Sequence, residues 1–273
     1  MPTPNLNVMR AARAMYLAAP LALMVGAPAH ADPVHGQGTW ETTLQGRDLD
    51  GTPSTIEAYY DTDRHITWLA NANLPYTSGY TSAANGGLDI YEADMRRDLK
   101  VTNGMMGWDA AQTWVSNLNV NGTTGWYLPK AVDPSAEQCP VFGYGDQLFC
   151  GGNPDKSTSE LAHMYFVTLG NTDRFNVPWA PGSGMTNTGP FSNLMPAPYS
   201  FGLEVDNTNG DYAWSFFADS GGHQMRRKDL PSFAWAIHDG DVGSPVPEPQ
   251  TGALVLVGLI MAGVGVRRRT GRR

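Results

Sequence analysis

Hydrophobic residues along this chain fall at two spacings, one helical and one strand-like, separated by long polar stretches. Trp108, Ala111, Trp114, Val115 and Leu118 recur at helical intervals on one stripe, while Asp109, Gln112, Ser116 and Asn117 face away. Asp109 falls in the first turn, where the helix dipole favours an acid. Asn119 to Gly125 ends the element with two glycines, and Trp126-Tyr127-Leu128-Pro129 runs out extended. A second helix is expected from about Ser159 to Leu169. Ser157-Thr158-Ser159-Glu160 fits a capping box, Leu161, Met164, Tyr165 and Thr168 share a face, and Gly170-Asn171 stops it.

Strand patterns occupy the two flanks. Thr39 to Leu44, Ala58 to Asp61 and Ile66 to Leu69 read as three strands, with a turn at Asp50-Gly51. Tyr212 to Phe217 and Phe233 to Ile237 read as two more. A polar turn region between them contains Gly221-Gly222 and Arg226-Arg227-Lys228. Residues 72–105 read as a long surface loop with a helical turn over Tyr91 to Leu99, and residues 172–200 carry five prolines and little periodicity. No solenoid-length repeat occurs. Two helices among several antiparallel strands and long loops make an α+β domain.

Both ends of the chain depart from that pattern. Arg10 and Arg13 precede an apolar run from Met15 to Pro28, and Ala29-His30-Ala31 reads as a small-x-small signal cleavage site that starts the mature chain at Asp32. At the other end, Val246-Pro247-Glu248-Pro249 leads into the apolar stretch Gly252 to Val266, followed by Arg267-Arg268-Arg269. Prolines hold the junction extended, and arginines stay on the cytoplasmic side of a membrane as a stop to transfer. The apolar stretch, as a helix, rises roughly 22 Å, short of the about 30 Å of a bilayer core. It suits a transient hold better than a permanent anchor. This three-part tail resembles the PEP-CTERM sorting signal. The resemblance implies a precursor held briefly in the inner membrane by a short transmembrane helix. An exosortase, a membrane protease, would recognise Pro247, Glu248 and Pro249 and pass the protein to the cell surface.

Three segments follow: a signal peptide at 1–31, a domain at 32–244 and a sorting tail at 245–273. Of 18 basic and 26 acidic residues, two arginines lie in the first segment, and five arginines and Glu248 in the last. The domain between keeps 11 basic against 25 acidic residues, a net charge of −14. Such a surface is a poor partner for nucleic acid or anionic lipid, and suits cations or neutral glycans. Cys139 and Cys150 are the only cysteines. In an exported chain a lone pair so spaced reads as a disulfide, worth roughly 3 kcal/mol in the chain-entropy model. The residues between them read as a compact loop with two glycine turns.

The landmarks of the domain resemble the Lcl C-terminal domain family. They are Ile66-Thr67-Trp68-Leu69; the helix from Trp108-Asp109-Ala110-Ala111 through Trp114 and Leu118; Gly125-Trp126-Tyr127-Leu128-Pro129; Ser159-Glu160-Leu161; and Ala234-Trp235-Ala236-Ile237 before Gly240-Asp241. The resemblance covers about residues 38–242. It implies a fold related to C-type lectins and the formylglycine-generating enzymes, in which two helices flank small antiparallel sheets and a long loop region carries the ligand site. Tyr127 stands where the family usually has arginine.

No catalytic constellation assembles. His35, His65, His163, His223 and His238 are scattered without metal-ligand spacing, and there is no Gly-x-Ser-x-Gly elbow and no phosphate loop. Cys139 and Cys150 do not match the close cysteine pair of the formylglycine-generating enzymes. No cofactor or metal is expected, although two oxygen-rich stretches, Asp48-x-Asp50-Gly51 and Asp206 to Asp211, contain the ligand types calcium takes. Neither has EF-hand spacing, and such stretches mostly make turns. Trp40, Trp68, Trp108, Trp114, Trp126, Trp214 and Trp235 lie mostly in periodic elements and read as core. Trp179, in a proline-rich loop, is the candidate ring for stacking on a sugar. The expectation is an exported, surface-sorted, lectin-like protein. It would be non-catalytic, with a glycan or exopolysaccharide ligand and a biofilm role. The alternative is an exported enzyme acting on envelope polysaccharide.

Overall fold

The computed structural model describes residues 37–80, 104–133, 142–144, 147–152, 154–174, 182–206 and 210–246. The chain divides into two units, Met1–His30 and Ala31–Arg273, and every described residue belongs to the second. No helix among the described residues is long and apolar enough to cross a membrane.

The domain is α+β. Its first sheet contains β1 (Leu44–Asp48), β2 (Ala58–Asp61), β3 (Ile66–Leu69), β11 (Ile237–Asp239) and β12 (Ser244–Pro245), in the order β11-β3-β2-β1-β12. All its neighbours are antiparallel. Its second sheet runs β4-β10-β7-β8-β9-β6-β5. These strands are β4 (Met105–Met106), β5 (Phe142–Tyr144), β6 (Gln147–Gly152), β7 (Pro198–Glu204), β8 (Tyr212–Phe217), β9 (Gly222–Arg227) and β10 (Ser232–Phe233). Only the contact between β10 and β7 is parallel.

The principal helix, Trp108–Ser116, forms where the apolar stripe places it, with Ala111, Trp114 and Val115 buried. The second helical segment differs from expectation. One α-turn, Glu160–Ala162, passes directly into a π-helix, His163–Thr168. The Leu169 amide reaches back to the Met164 carbonyl at 2.8 Å, and the Asn171 amide to Tyr165 at 3.0 Å. The wider turn keeps Met164, Tyr165 and Thr168 all buried. Its cap is Ser159, whose hydroxyl accepts from the Ala162 amide at 3.2 Å. Glu160 is not a capping-box partner, because its carboxylate accepts from the Lys130 amide instead. The segment ends at Gly170, as expected. Gly170 adopts φ +66° and lies against Gly38, so tightly that a Cβ there would meet the Gly38 nitrogen at 2.3 Å.

Several strands correct the sequence reading. Thr39 to Leu44 is mostly one turn of helix, Trp40–Thr43, and the strand begins at Leu44. The expected loop between the cysteines contains a hairpin, with Phe142 opposite Phe149. β7 occupies part of the proline-rich region, and β9 takes up Arg226 and Arg227 from the expected turn. The expected strand Phe233 to Ile237 is split: Phe233 ends β10, Ile237 begins β11, and Ala234-Trp235-Ala236 crosses from one sheet to the other. Within the expected loop at 72–105, Leu74–Thr77 makes a helical turn and Met105–Met106 a short strand. Tyr91 to Leu99 lies outside the described residues.

That crossing is the centre of the core. Trp235 is 2% exposed. Its ring lies 4.6 Å from Trp68 in the first sheet, 4.7 Å edge-on from Phe191, and 6.0 Å from Tyr199 in the second sheet. Its indole N–H donates to the Leu69 carbonyl at 2.8 Å, so the one polar atom of a buried ring is satisfied.

Candidate functional site

The C-terminal edge of the first sheet brings the acidic stretch Asp48-x-Asp50-Gly51 beside the residues that lead to the proline motif. β12 is two residues long, both exposed, and adds antiparallel to β1 with Pro245 opposite Arg47 and Ser244 opposite Asp48. The Val246 amide donates to the Gly46 carbonyl at 3.1 Å. Gly46–Val246 is therefore a hydrogen-bonded pair, and by alternation Arg47–Pro245 is not, which is where an edge strand tolerates proline. The next residue is Pro247, which has no N–H to extend the ladder.

Immediately before β12 the chain is pinned. Arg47 is 3% exposed; its Nε and Nη2 donate to the two carboxylate oxygens of Asp241 at 2.5 and 2.9 Å, and its guanidinium stands 5.2 Å over the Tyr60 ring. Gly243 turns the chain at φ +86°, where a Cβ would meet the Leu49 side chain at 2.6 Å and the Asp48 carbonyl at 2.8 Å. A bidentate pair and a glycine-only turn together fix where the chain leaves the fold.

The same edge holds Asp48, Asp50 and Glu57, each with a carboxylate oxygen within 4.8 Å of the others. Glu57 was not among the residues singled out from the sequence, since strand pairing brings it there. The Asp48 Oδ1 accepts from the amides of Asp50, Gly51 and Thr52, Asp50 from Thr52, and Glu57 from Leu49. Calcium takes about six to eight oxygens. Three carboxylates, each already holding a loop together, do not complete such a set among the described residues. The second stretch, Asp206 to Asp211, is interrupted at 207–209, which lie outside the described residues.

Two further polar clusters were not read from the sequence. At the surface, the Tyr127 hydroxyl donates to Asp239 at 2.5 Å, and Lys130 Nζ lies 3.3 Å from the same carboxylate and 4.0 Å over the Tyr127 ring. Burial and the Asp239 hydrogen bond push the Tyr127 phenol up, and that hydrogen bond holds Asp239 down. Burial raises Glu160 beside them. In the interior, Ser159 Oγ and His223 Nε2 lie 3.1 Å apart. His223 sits edge-on between Phe201 and Phe216, at 5.0 and 5.9 Å, and burial pushes its pKa down to about 3. The serine also caps the helix, and both residues are buried. The pair has the spacing of a nucleophile and base but faces the core. His223 comes from β9 and Ser159 from the helix cap, 64 residues apart in the chain, and no short motif records their meeting.

Cys150 lies on β6, while Cys139 and the proposed pairing lie outside the described residues. Trp179, Pro247, Glu248, Pro249, Ala29, Ala31, Arg267, Arg268 and Arg269 lie outside them as well. Comparison with known protein families, curated proteins and solved structures finds no match to this chain.

Proposed function

We propose that this is an exported protein sorted to the cell surface or extracellular matrix by an exosortase acting at Pro247, Glu248 and Pro249. The domain before that signal, of the C-type-lectin-like kind, serves by binding or as matrix material linked to exopolysaccharide. The observation that carries this reading is where the fold closes. Among the described residues, the last sheet hydrogen bond is made by Val246, one residue before the motif. The acidic domain surface favours a neutral glycan over nucleic acid as ligand. The rival reading is an exported enzyme acting on envelope polysaccharide, and the Ser159–His223 pair, which faces the core, lends it no support.

The test is an immunoblot of membrane and surface fractions from a host possessing an exosortase. Glu248→Ala is expected to leave an uncut, membrane-bound precursor with a normally folded domain. Release equal to wild type overturns the sorting role. A glycan array with and without calcium, run beside a hydrolysis screen, then separates the readings: saturable binding without turnover supports the adhesin, and turnover supports the enzyme.

A further inference from the structure

A protease that cuts beside a motif needs several residues on each side of the cut free and extended. In this fold the residues on the N-terminal side of the motif are not free. Val246 is hydrogen-bonded to Gly46, and Ser244 and Pro245 are paired with Asp48 and Arg47. β12 is nevertheless the shortest strand of its sheet. It is two residues long, exposed and at the edge, and its proline contributes no N–H, so among the described residues it is bound through Ser244 and Val246. Just upstream the character changes. Asp241 is held by both arms of the buried Arg47, and Gly243 is lodged against the Asp48 carbonyl and Leu49.

We propose that β12 is a release strand. It unzips from β1 to let the processing enzyme reach the motif, and the Arg47–Asp241 pair with Gly243 is the stop that keeps unzipping from entering β11. The proposal rests on the sorting role proposed above and adds its regulation: the folded domain, through two residues, sets the rate at which its own tail is cut. The fraction of molecules with β12 open scales the cleavage rate, as it would for any reaction restricted to a minor state.

The experiment is a pulse–chase of the full-length precursor in an exosortase-containing host, with four variants. Ser244→Pro removes the amide of the hydrogen-bonded pair opposite Asp48 and is expected to shorten the precursor half-life roughly threefold or more. A flexible Gly/Ser spacer of about eight residues between Val246 and Pro247 frees the motif without touching β12 and is expected to do the same. The two combined are expected to be no faster than either alone, because both relieve one restraint. Glu248→Ala is the control for the sorting role itself. If Glu248→Ala blocks processing while Ser244→Pro and the spacer process at the wild-type rate, the release strand is wrong and the sorting role stands. Additive acceleration overturns it too, since that marks distance from the membrane as the limit. If Glu248→Ala is processed normally, the sorting role fails first.

Discussion

The Ala234-Trp235-Ala236 crossing and the β12 edge lie within a dozen residues of each other and are built on opposite principles. Around Trp235 three aromatic rings from three parts of the chain converge, and its indole N–H is bonded inside the core. Around β12 the strand is two exposed residues on a sheet edge, held by backbone pairing, with one arginine pair beside it. The first region joins the two sheets and ought to fail only with the whole domain. The second ought to open without disturbing it. Stability in this protein is therefore graded along a short stretch of chain, falling from the last buried ring to the tail.

The largest expected effect tests the strong region. Trp235→Ala leaves a cavity shared by both sheets and should cost about 3–5 kcal/mol, read from chemical denaturation of the mature domain. A midpoint unchanged from wild type would mean that the crossing does not unite the sheets.

How much of this contrast was legible in the sequence depends on the range of the forces involved. The Trp108–Ser116 helix, β2, β3 and β8 follow from the local sequence, although the helix ends at Asn117, ahead of the two glycines expected to stop it. β7 has its own alternation, with Tyr199 and Phe201 buried, but the surrounding prolines mask it. β9 was hidden because it buries polar residues, His223 and Gln224, which only tertiary partners make tolerable. The split of Phe233 to Ile237 between sheets leaves no local trace, since a continuous apolar run serves a strand and a crossing equally well. The candidate edge was half legible. Its acidic loop and the proline motif stand out as residues, whereas the Arg47–Asp241 pair spans nearly the whole domain and needs the fold to be seen.

A second measurement sharpens the comparison through pH. Buried polar groups inside the two sheets should dominate the pH dependence. His223, pushed down to about 3, is neutral when folded but takes a proton on unfolding below its usual value of about 6.5. Unfolding then takes up protons, so His223 costs stability as pH falls from about 6.5 toward 3. Asp61 works the other way. It is fully buried, its Oδ2 has no hydrogen-bond partner among the described residues, and burial raises its pKa to about 6. Between about 6 and its usual 3.8 the folded form holds the proton, so stability rises as pH falls through that window. The two effects oppose each other over the shared range. Asp61→Asn removes one of them while keeping the oxygen that accepts from Asp63 and Arg64. The loss of stability from pH 7 to pH 4 should then grow by about 2–3 kcal/mol over wild type. An unchanged loss would show that Asp61 is ionised normally.

The smallest effect is expected at the weak region. In the mature domain, Ser244→Pro should lower stability by less than about 1 kcal/mol, since one exposed edge hydrogen bond is lost and no cavity forms. Hydrogen exchange should show the Val246 amide opening far faster than the Leu69 amide, which is bonded to Ala236 beneath the crossing. Equal protection of the two amides would erase the gradient.

The pairing of β1 with β12 has one more consequence. The strand that opens the sheet and the strand that closes it are neighbours, so the chain leaves this sheet beside the strand by which it entered it. Spliced into a loop of an unrelated host, such a body would need only short connectors and would leave the host chain nearly continuous. Strung in tandem, copies would hang as pendants from a shared backbone and would not line up as a rod. A chain built this way decorates a scaffold more readily than it spans a distance.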